Sequence, residues 1–375
     1  MQENKRVNCM LADLAVFFYF MAMLISNQFE GRIVSLIWYT ALLYCCVIGF
    51  LLYHNKIKLE MFIFFCAMVA TGALNIILIG TSSIRIQLLL VLMLCSSLSM
   101  LTDYVSEKTF LIAFLANAFL VTIKFLTVGI YGEVYKNSST NYVSVFLMYP
   151  AVMYFTLMEK KKKRIPVILV ILLWALSLFA RGRGGIIAAT VLFVGLLFVD
   201  YLRSRNNKKI IILLVGAMAV MIAAINIDKI IGMINASAFS EYFRDRGMKS
   251  NSRMGIMRDY ISHAISGRKY FLFGADISTS VVGIDYGGNP HNTYISIHMY
   301  NGLLMLLVIL GILAKKVVIS VKTHQYVYTV CVFSMLVRAF TDSIFWPAYG
   351  TVALFFLLFF EIDETDLHRK TISII

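Results

Sequence analysis

Long apolar runs separated by short polar segments follow one another along most of the chain. A helix that crosses a membrane needs about 20 mainly apolar residues, and twelve such runs are present. The pattern therefore predicts an all-α polytopic membrane protein, with residues 1–375 forming a single membrane domain. The predicted spans are 10–27, 33–53, 59–80, 86–103, 109–131, 142–158, 165–180, 184–202, 210–227, 293–314, 325–341 and 344–361.

Composition supports the same fold class. Hydrophobic residues make up 60% of the 375 and charged residues 14%, whereas soluble domains average about half apolar and a quarter charged. Lysine and arginine number 34 against 20 acidic residues, an excess that would suggest nucleic-acid binding in a soluble chain. In a membrane protein such an excess is first explained by topology. We therefore expect no nucleic-acid partner.

The clustered basic residues indicate how the spans are oriented. Short cytoplasmic loops carry an excess of lysine and arginine, so the side that holds the clusters is predicted to be cytoplasmic, together with both termini. The long loop 228–292, between the ninth and tenth spans, is then external. The clusters are the N-terminal tail, His54–Lys58, Lys160–Arg164, Arg203–Lys209, Lys315–Lys322 and the C-terminal tail.

The predicted external face is unexpectedly basic. Eight lysines and arginines lie in the long loop, and Lys124 and Arg338 lie in the outer halves of their spans. A charge inside a span costs at least about 2.5 kcal/mol, so such residues tend to line cavities or to pair. Arginine donates two parallel hydrogen bonds to phosphate, which favours a phosphate or diphosphate ligand. Alternatively, Lys124 extends to the membrane interface and Arg338 pairs with Asp342, one turn later.

The stretch Arg181-Gly-Arg-Gly-Gly185 interrupts two apolar runs at this face. Glycines let a backbone approach a ligand closely, and the N–H groups at the start of the next helix attract anions. The pattern favours an anion site, with Arg181 and Arg183 as its cations. The alternative is a tight hairpin in which the glycines only turn the chain.

The long loop carries two further candidates. Ser252 is a plausible N-cap, and residues 253–266 have helical periodicity, with Arg253 in the middle of an apolar face that includes Ile256, Met257, Tyr260, Ile261 and Ala264. An inward arginine needs a partner, unless it escapes to solvent at the helix end. If the tenth span begins near His291, then His298 and Gly302 share its stripe. A histidine here could act as a general base or bind phosphate, although lone interfacial histidines are more often structural.

The order of these motifs resembles the bacterial O-antigen polymerase and O-antigen ligase superfamily. The resemblance covers about residues 170–315 and rests on the order of the motifs, since none of them is diagnostic alone. It implies a GT-C-type membrane glycosyltransferase of the bacterial cytoplasmic membrane, with its active site on the external face. The motifs are Arg183-Gly-Gly185, Ser252-Arg253 before an amphipathic helix, Phe271-Leu-Phe-Gly274, Pro290-His-Asn-Thr-Tyr294 and Asn301-Gly302.

The resemblance also implies roles for residues. Arg183 matches the family's Ser-Arg-Gly position, although Gly182 replaces the serine and leaves the register between Arg181 and Arg183 open. His291, Arg253 and Arg183 would be catalytic, without a metal or cofactor. The residues expected to bind the substrate or its diphosphate are Arg181, Asn292, Arg338, Lys124 and His298.

The implied reaction is polymerisation of a surface glycan. An undecaprenyl-diphosphate-linked glycan would be transferred onto the next lipid-linked repeat unit, so donor, acceptor and membrane lipid are the expected partners, with a chain-length regulator and a flippase as candidate protein partners. Two alternatives remain. One is a ligase that transfers the glycan to a lipid A core or a protein. The other is a lipid-linked oligosaccharide flippase or transporter.

Overall fold

The computed structural model of the chain is all-helical across the residues that it describes. No strand occurs among them. The described residues are 2–29, 32–53, 59–80, 83–101, 103–129, 134–136, 138–180, 182–203, 251–278, 280–346 and 350–363.

The described helices are numbered in chain order, and a short 3₁₀ turn at Thr140–Tyr142 precedes α6. Their bounds are α1 Gln2–Gln28, α2 Arg32–Tyr53, α3 Leu59–Ile79, α4 Ser83–Met100, α5 Glu107–Val128, α6 Val143–Lys160, α7 Val167–Phe179, α8 Arg183–Arg203, α9 Asn251–Ile265, α10 Arg268–Phe273, α11 Val281–Ile284, α12 Thr293–Lys322, α13 Tyr326–Thr341 and α14 Thr351–Phe359.

Several helices are long and apolar enough to cross a membrane. In the described part of the chain these are Arg6–Gln28 of α1 and the whole of α3, α5, α8 and α12, while α7 and α13 are shorter apolar helices. Large apolar side chains lie on their outer surfaces, among them Leu126 at 80% and Ile77 at 75% exposure. Soluble proteins rarely expose extensive apolar surface, whereas lipid tails cover it at no cost.

The bundle is built around α6. Every residue from Val143 to Glu159 is buried, as expected of a helix that is apolar all round and surrounded by other helices. The helices α5, α7, α8, α13 and α14 pack against it. On one side α13 lies against α8, where the Ser334 hydroxyl donates to the Ala188 carbonyl at 2.7 Å. This packing brings one end of α6, α8 and α13 together.

Most predicted spans coincide with a helix, but the last one differs. The sequence predicts a span over 344–361, whereas the helix in this region, α14, covers only nine residues. Nine residues rise about 14 Å, less than half of the roughly 30 Å apolar thickness of a bilayer. The segment 342–346 is not helical because its backbone and side chains bond to the start of α12 instead. The predicted span 210–227 lies outside the described residues.

The described part of the predicted long loop contains three helices and packs against the bundle. The predicted helix over 253–266 is α9, which starts at Asn251, so Ser252 lies inside it and is not its N-cap. Ile256, Tyr260 and Ala264 are buried as the periodicity predicted, whereas Ile261 is half exposed. The short helices α10 and α11 follow, and this group forms a small apolar core with the first two turns of α12.

A break in α12 anchors α10 to the bundle. Gly302 has φ +74° and ψ −179° inside the helix, and a Cβ at this position would collide with the carbonyl of Leu272. The neighbouring Asn301 accepts a hydrogen bond from Trp346 Nε1 at 2.9 Å and donates to Met68 O at 3.0 Å. The motifs Phe271–Gly274 and Asn301–Gly302, far apart in sequence, therefore meet at one packing contact.

Candidate functional site

The start of α8, the start of α12 and the end of α13 meet beside the 3₁₀ turn that precedes α6. Arg338 Nη2 donates to the carbonyl of Asn141 at 3.0 Å, and Asn292 Nδ2 donates to the carbonyl of Phe340 at 3.1 Å. We call His291, Arg338, Thr341, Asp342 and Asn141 the polar junction.

Glycines make this approach of backbones possible. A Cβ at Gly184 would overlap the side chain of Thr341, one at Gly185 would overlap Ser144, and one at Gly182 would lie 3.0 Å from Asn141 Cα. Protein atoms thus occupy the space next to all three glycines. The glycine-rich stretch, for which the sequence left open an anion site or a hairpin, serves close helix packing in the structure.

Asp342 is the centre of the polar junction. Its side chain is 3% exposed, with Oδ1 3.4 Å from Nδ1 of His291 and Oδ2 3.5 Å from Nη2 of Arg338. The Ser343 N–H donates to Oδ1 at 2.9 Å. This buried carboxyl group thus lies between two groups that can carry positive charge.

His291 is held by its backbone as well as by Asp342. It precedes α12 and has φ +48°, a left-handed conformation that is uncommon for a residue other than glycine but enriched for histidine. Its N–H donates to Asn289 Oδ1 at 2.9 Å, and the ring of Tyr286 packs edge-on at 5.8 Å. The Nε2 atom has no partner among the described residues, and the side chain is 29% exposed. His291 therefore presents one ring nitrogen to Asp342 and leaves the other available.

Arg338 is buried and directed inward. The side chain is 2% exposed, and it donates to Thr341 Oγ1 at 2.8 Å as well as to Asn141 and Asp342. Its Nε–H has no acceptor in the described part of the protein. The pairing with Asp342, one of the two alternatives from the sequence, is thus present in the structure.

Asn292 and His298 have structural partners. Asn292 caps α12 by accepting the N–H groups of Tyr294 and Ile295 at 2.9 and 3.1 Å, and it is 1% exposed. His298 Nε2 lies 2.8 Å from Phe271 O, and Nδ1 lies 2.6 Å from the hydroxyl of Tyr260. Burial raises the pKa of Tyr260, so its hydroxyl stays protonated and donates to Nδ1, which leaves Nε2–H to donate to Phe271.

The predicted helix stripe that joins His291 to His298 does not form. The structure places His291 before α12, which starts two residues later at Thr293 with Asn292 as N-cap. The break at Gly302 further changes the direction of the helix. His298 consequently contacts α9 and α10 rather than the polar junction.

The structure describes the remaining predicted cations to different extents. Arg183 is the first residue of α8, exposed, and next to Gly184, which packs against the polar junction. Arg253 belongs to α9, one turn before Met257, whose sulfur accepts from Asn292 Nδ2 at 3.9 Å, but its side chain lies outside the described residues. Arg181 is also outside them. Lys124 is half-buried on α5 and makes no hydrogen bond or ion pair with the polar junction in the described chain.

Sequence reasoning missed Asp342 as a site residue. It was considered only as a partner of Arg338, because the two are four residues apart on one helix face. Its contact partner His291 is 51 positions away, so no local sequence pattern indicates the contact. The one available clue was the polar run Thr341-Asp-Ser343 between two apolar runs.

The described residues contain no group of three or more His, Cys, Asp or Glu side chains arranged to hold a metal ion. The chemical groups at the polar junction are an oriented imidazole, its carboxylate and the arginine beside it. Comparisons with protein-family models, curated proteins and solved structures give no match to this chain, so the function must be argued from this geometry.

Proposed function

We propose that the protein is a glycan polymerase of the bacterial cytoplasmic membrane. In this proposal a chain of about twelve spans with a GT-C-like arrangement transfers a glycan from undecaprenyl diphosphate to the next lipid-linked repeat unit. The polar junction and the long loop 228–292 lie on the external face, and both termini are cytoplasmic. The resemblance in motif order suggests the reaction, and the site geometry supports it.

The observation that carries the proposal is the contact of His291 with Asp342. A carboxylate that accepts Nδ1–H fixes the tautomer in which Nε2 is a free base, and it stabilises the imidazolium formed when Nε2 takes a proton. Because Nε2 has no partner among the described residues and the ring is partly exposed, it is placed to meet a substrate hydroxyl.

The bonds change in one step. The acceptor hydroxyl attacks the anomeric carbon of the donor glycan, and its proton passes to His291 Nε2. The bond between that carbon and the diphosphate oxygen breaks, and undecaprenyl diphosphate leaves with the electron pair. Negative charge therefore grows on the diphosphate, where cationic side chains and helix N-termini stabilise it most.

In the proposal Arg183 is one of these cations, because it is exposed at the N-terminus of α8. Arg253 and Arg181 complete the proposed diphosphate site. Arg338 has a different role in the proposal: it is buried, and it holds Asp342 in place without reaching the substrate. Asn292 likewise orients the start of α12 and so positions His291.

The test is chain elongation by purified protein supplied with a lipid-diphosphate-linked repeat unit. We expect His291→Ala and His291→Gln to lose most activity, since glutamine donates hydrogen bonds but accepts no proton near neutral pH. Arg183→Lys should recover little, because it keeps the charge and loses the bidentate fork. The matched control is His324→Gln, an exposed histidine with φ +60° at the opposite end of α13, which should elongate normally.

Two results would contradict this scheme. Near-normal elongation by His291→Gln would exclude the general-base role. Normal elongation by both Arg183→Ala and Arg253→Ala would exclude the arginine-based stabilisation of the leaving group.

The ligase alternative shares the same site and donor. It differs only in the acceptor, which would be a lipid A core or a protein. Supplying the purified enzyme with both kinds of acceptor separates the two: a polymerase makes products longer by whole repeats on lipid diphosphate, and a ligase makes none.

One observation favours a transporter, namely the break in α12. Transporters bind substrates near the bilayer midplane at interrupted helices, and Gly302 lies about 15 Å along α12 from its start. However, the cavity beside the break, lined by Arg85, Tyr300 and Asn301, has a volume of only about 10 Å³, which accommodates one water at most. The polymerase therefore remains the function that the geometry supports best.

A further inference from the structure

A second polar site lies at the opposite end of the same helices. The chain leaves the polar junction along α6 and α8 and reaches Lys160 and Arg203, and α13 runs back from Tyr326 to Thr341. With a rise of 1.5 Å per residue, the 16 residues of α13 separate the two ends by about 24 Å. Any ligand here is therefore distinct from one at the polar junction.

This end contains a cavity of about 290 Å³ between α7, α8 and the turn before α13. We call it the basic cavity. Its floor is apolar and includes Val170, Leu196 and Val199, all buried. Its rim carries six basic side chains, Lys160, Lys162, Lys163, Arg164, Arg203 and His324.

Three acidic residues also line the cavity, Glu159, Asp200 and Asp363, and the first of them is compensated by its contacts. Glu159 is 4% exposed and pairs with Arg203, and it accepts the N–H groups of Val327 and Tyr328 at 3.0 and 2.8 Å. These contacts cap the start of α13 and compensate the negative charge of Glu159. It therefore repels an anion only weakly.

The basic residues of the rim fall into two groups. Lys160 pairs with Asp103 and Glu361 at 3.5 and 3.4 Å, and Lys163 pairs with Glu107. By contrast, Lys162 and Arg164 have no carboxylate partner in the described part of the chain. Both are exposed in the turn between α6 and α7. Two cations without an ion pair among the described residues thus stand over an apolar floor, on a rim that also carries Asp200 and Asp363.

Apolar surface continues from the cavity along the bundle. Ile168 on α7 is 68% exposed and Phe198 on α8 is 59% exposed, and each is next in sequence to residues that line the cavity. A ligand with a charged head and long apolar tails matches this arrangement, since the head meets the rim and the tails lie along α7 and α8.

We propose that the basic cavity binds the phosphate of an anionic glycerophospholipid in the leaflet at this end of the bundle. Lys162 and Arg164 contact the phosphate, and the acyl chains follow the apolar surfaces of α7 and α8. Basic pockets between membrane helices recognise acidic lipid headgroups in this way. The inference depends neither on the glycan reaction nor on the residues of the polar junction.

The experiment measures the thermal unfolding midpoint of the purified full-length protein in uncharged detergent. Dioleoyl phosphatidylglycerol is titrated in, with dioleoyl phosphatidylcholine as the zwitterionic comparison. Binding to the folded state raises the midpoint, and the stabilisation grows with the logarithm of one plus the ratio of the free lipid concentration to Kd. We expect phosphatidylglycerol to raise it and phosphatidylcholine to leave it unchanged.

The test variant is Lys162→Gln/Arg164→Gln, and two matched variants accompany it. Lys108→Gln/Lys322→Gln removes two exposed cations from the same end of the bundle, outside the cavity. Lys162→Arg/Arg164→Lys keeps both charges. We expect the test variant to bind phosphatidylglycerol at least about tenfold more weakly and the other two to stay within twofold of the parent protein.

Each of four results would overturn the proposal. Equal shifts with the two lipids would remove the charge requirement. An equal loss of phosphatidylglycerol affinity in Lys108→Gln/Lys322→Gln would show that the lipid is attracted by the overall positive charge of this end and not bound at a site. A loss in the charge-conserving variant would point to a structural role of the turn. A comparable shift with inorganic phosphate or glycerol 3-phosphate would mean a site for soluble anions and not for lipid.

Discussion

Replacing Asp342 by asparagine is the most informative single change at the polar junction. Asparagine has almost the same shape and volume, so the packing of a side chain that is 3% exposed is preserved. What is lost is the negative charge that lies between His291 and Arg338. The substitution therefore separates the electrostatic role of Asp342 from its role in filling space.

The magnitude follows from the distances. At 3.5 Å, two unit charges attract by about 5 kcal/mol with an effective dielectric constant near 20. Removing one member of a buried pair typically costs 3–5 kcal/mol, because the other charge remains buried without compensation. We therefore expect Asp342→Asn to fold with a clearly lower thermal midpoint. The accompanying loss of a charged hydrogen bond to His291, worth about 1.5–3 kcal/mol, should reduce turnover roughly tenfold to hundredfold.

Stability and activity must be measured on the same preparations. Thermal unfolding of the purified protein measures the loss of stability. Elongation of a lipid-diphosphate-linked repeat unit, at a temperature well below the thermal midpoint, measures the loss of turnover. The control is Ser343→Ala, which removes the hydroxyl that contacts Asn292 N and Ser296 Oγ at 3.0 Å each and changes no charge. If Asp342→Asn kept its midpoint and its turnover within twofold, the argument that Asp342 orients and compensates its neighbours would be refuted.

Three further predictions concern stability. Gly302→Ala should lower the free energy of unfolding by about 2–4 kcal/mol, because of the positive φ and because the new Cβ overlaps a backbone oxygen. An unchanged thermal midpoint would contradict the helix break. Gly184→Ala should lower the free energy of unfolding by about 1–3 kcal/mol, because the new Cβ overpacks the contact. By contrast, Gly311→Ala has no atom within 4 Å of the new Cβ and should raise it by up to about 1 kcal/mol, because alanine has the higher helix propensity. The N–H of Ser278, together with Arg85 and His263, lowers the pKa of Asp276, so its ionised form stabilises the fold above the unfolded pKa of about 3.9. Asp276→Asn should thus lower the midpoint slightly at pH 7, and the difference should disappear as the pH falls below that value.

Much of the fold could be read from local patterns in the sequence. Apolar runs of about 20 residues predict helices because a helix satisfies its own backbone hydrogen bonds within the segment. Periodicity likewise identified the buried side of α9 at Ile256, Tyr260 and Ala264. Lys124 and Arg338 stood out because a charged group inside an apolar span is costly and needs a reason, and His291 because it lies where the long loop meets the tenth span.

The meeting of particular side chains was decided only by the tertiary structure. Lipid-facing and protein-facing apolar positions have similar composition, so hydrophobicity does not specify which helices are neighbours. The contact of His291 with Asp342 depends on the packing of α8 against α13 and α6, which in turn depends on glycines small enough to admit Thr341 and Ser144. For the same reason the sequence extended the last span through 344–346, where the chain instead leaves the helical conformation to bond with the start of α12.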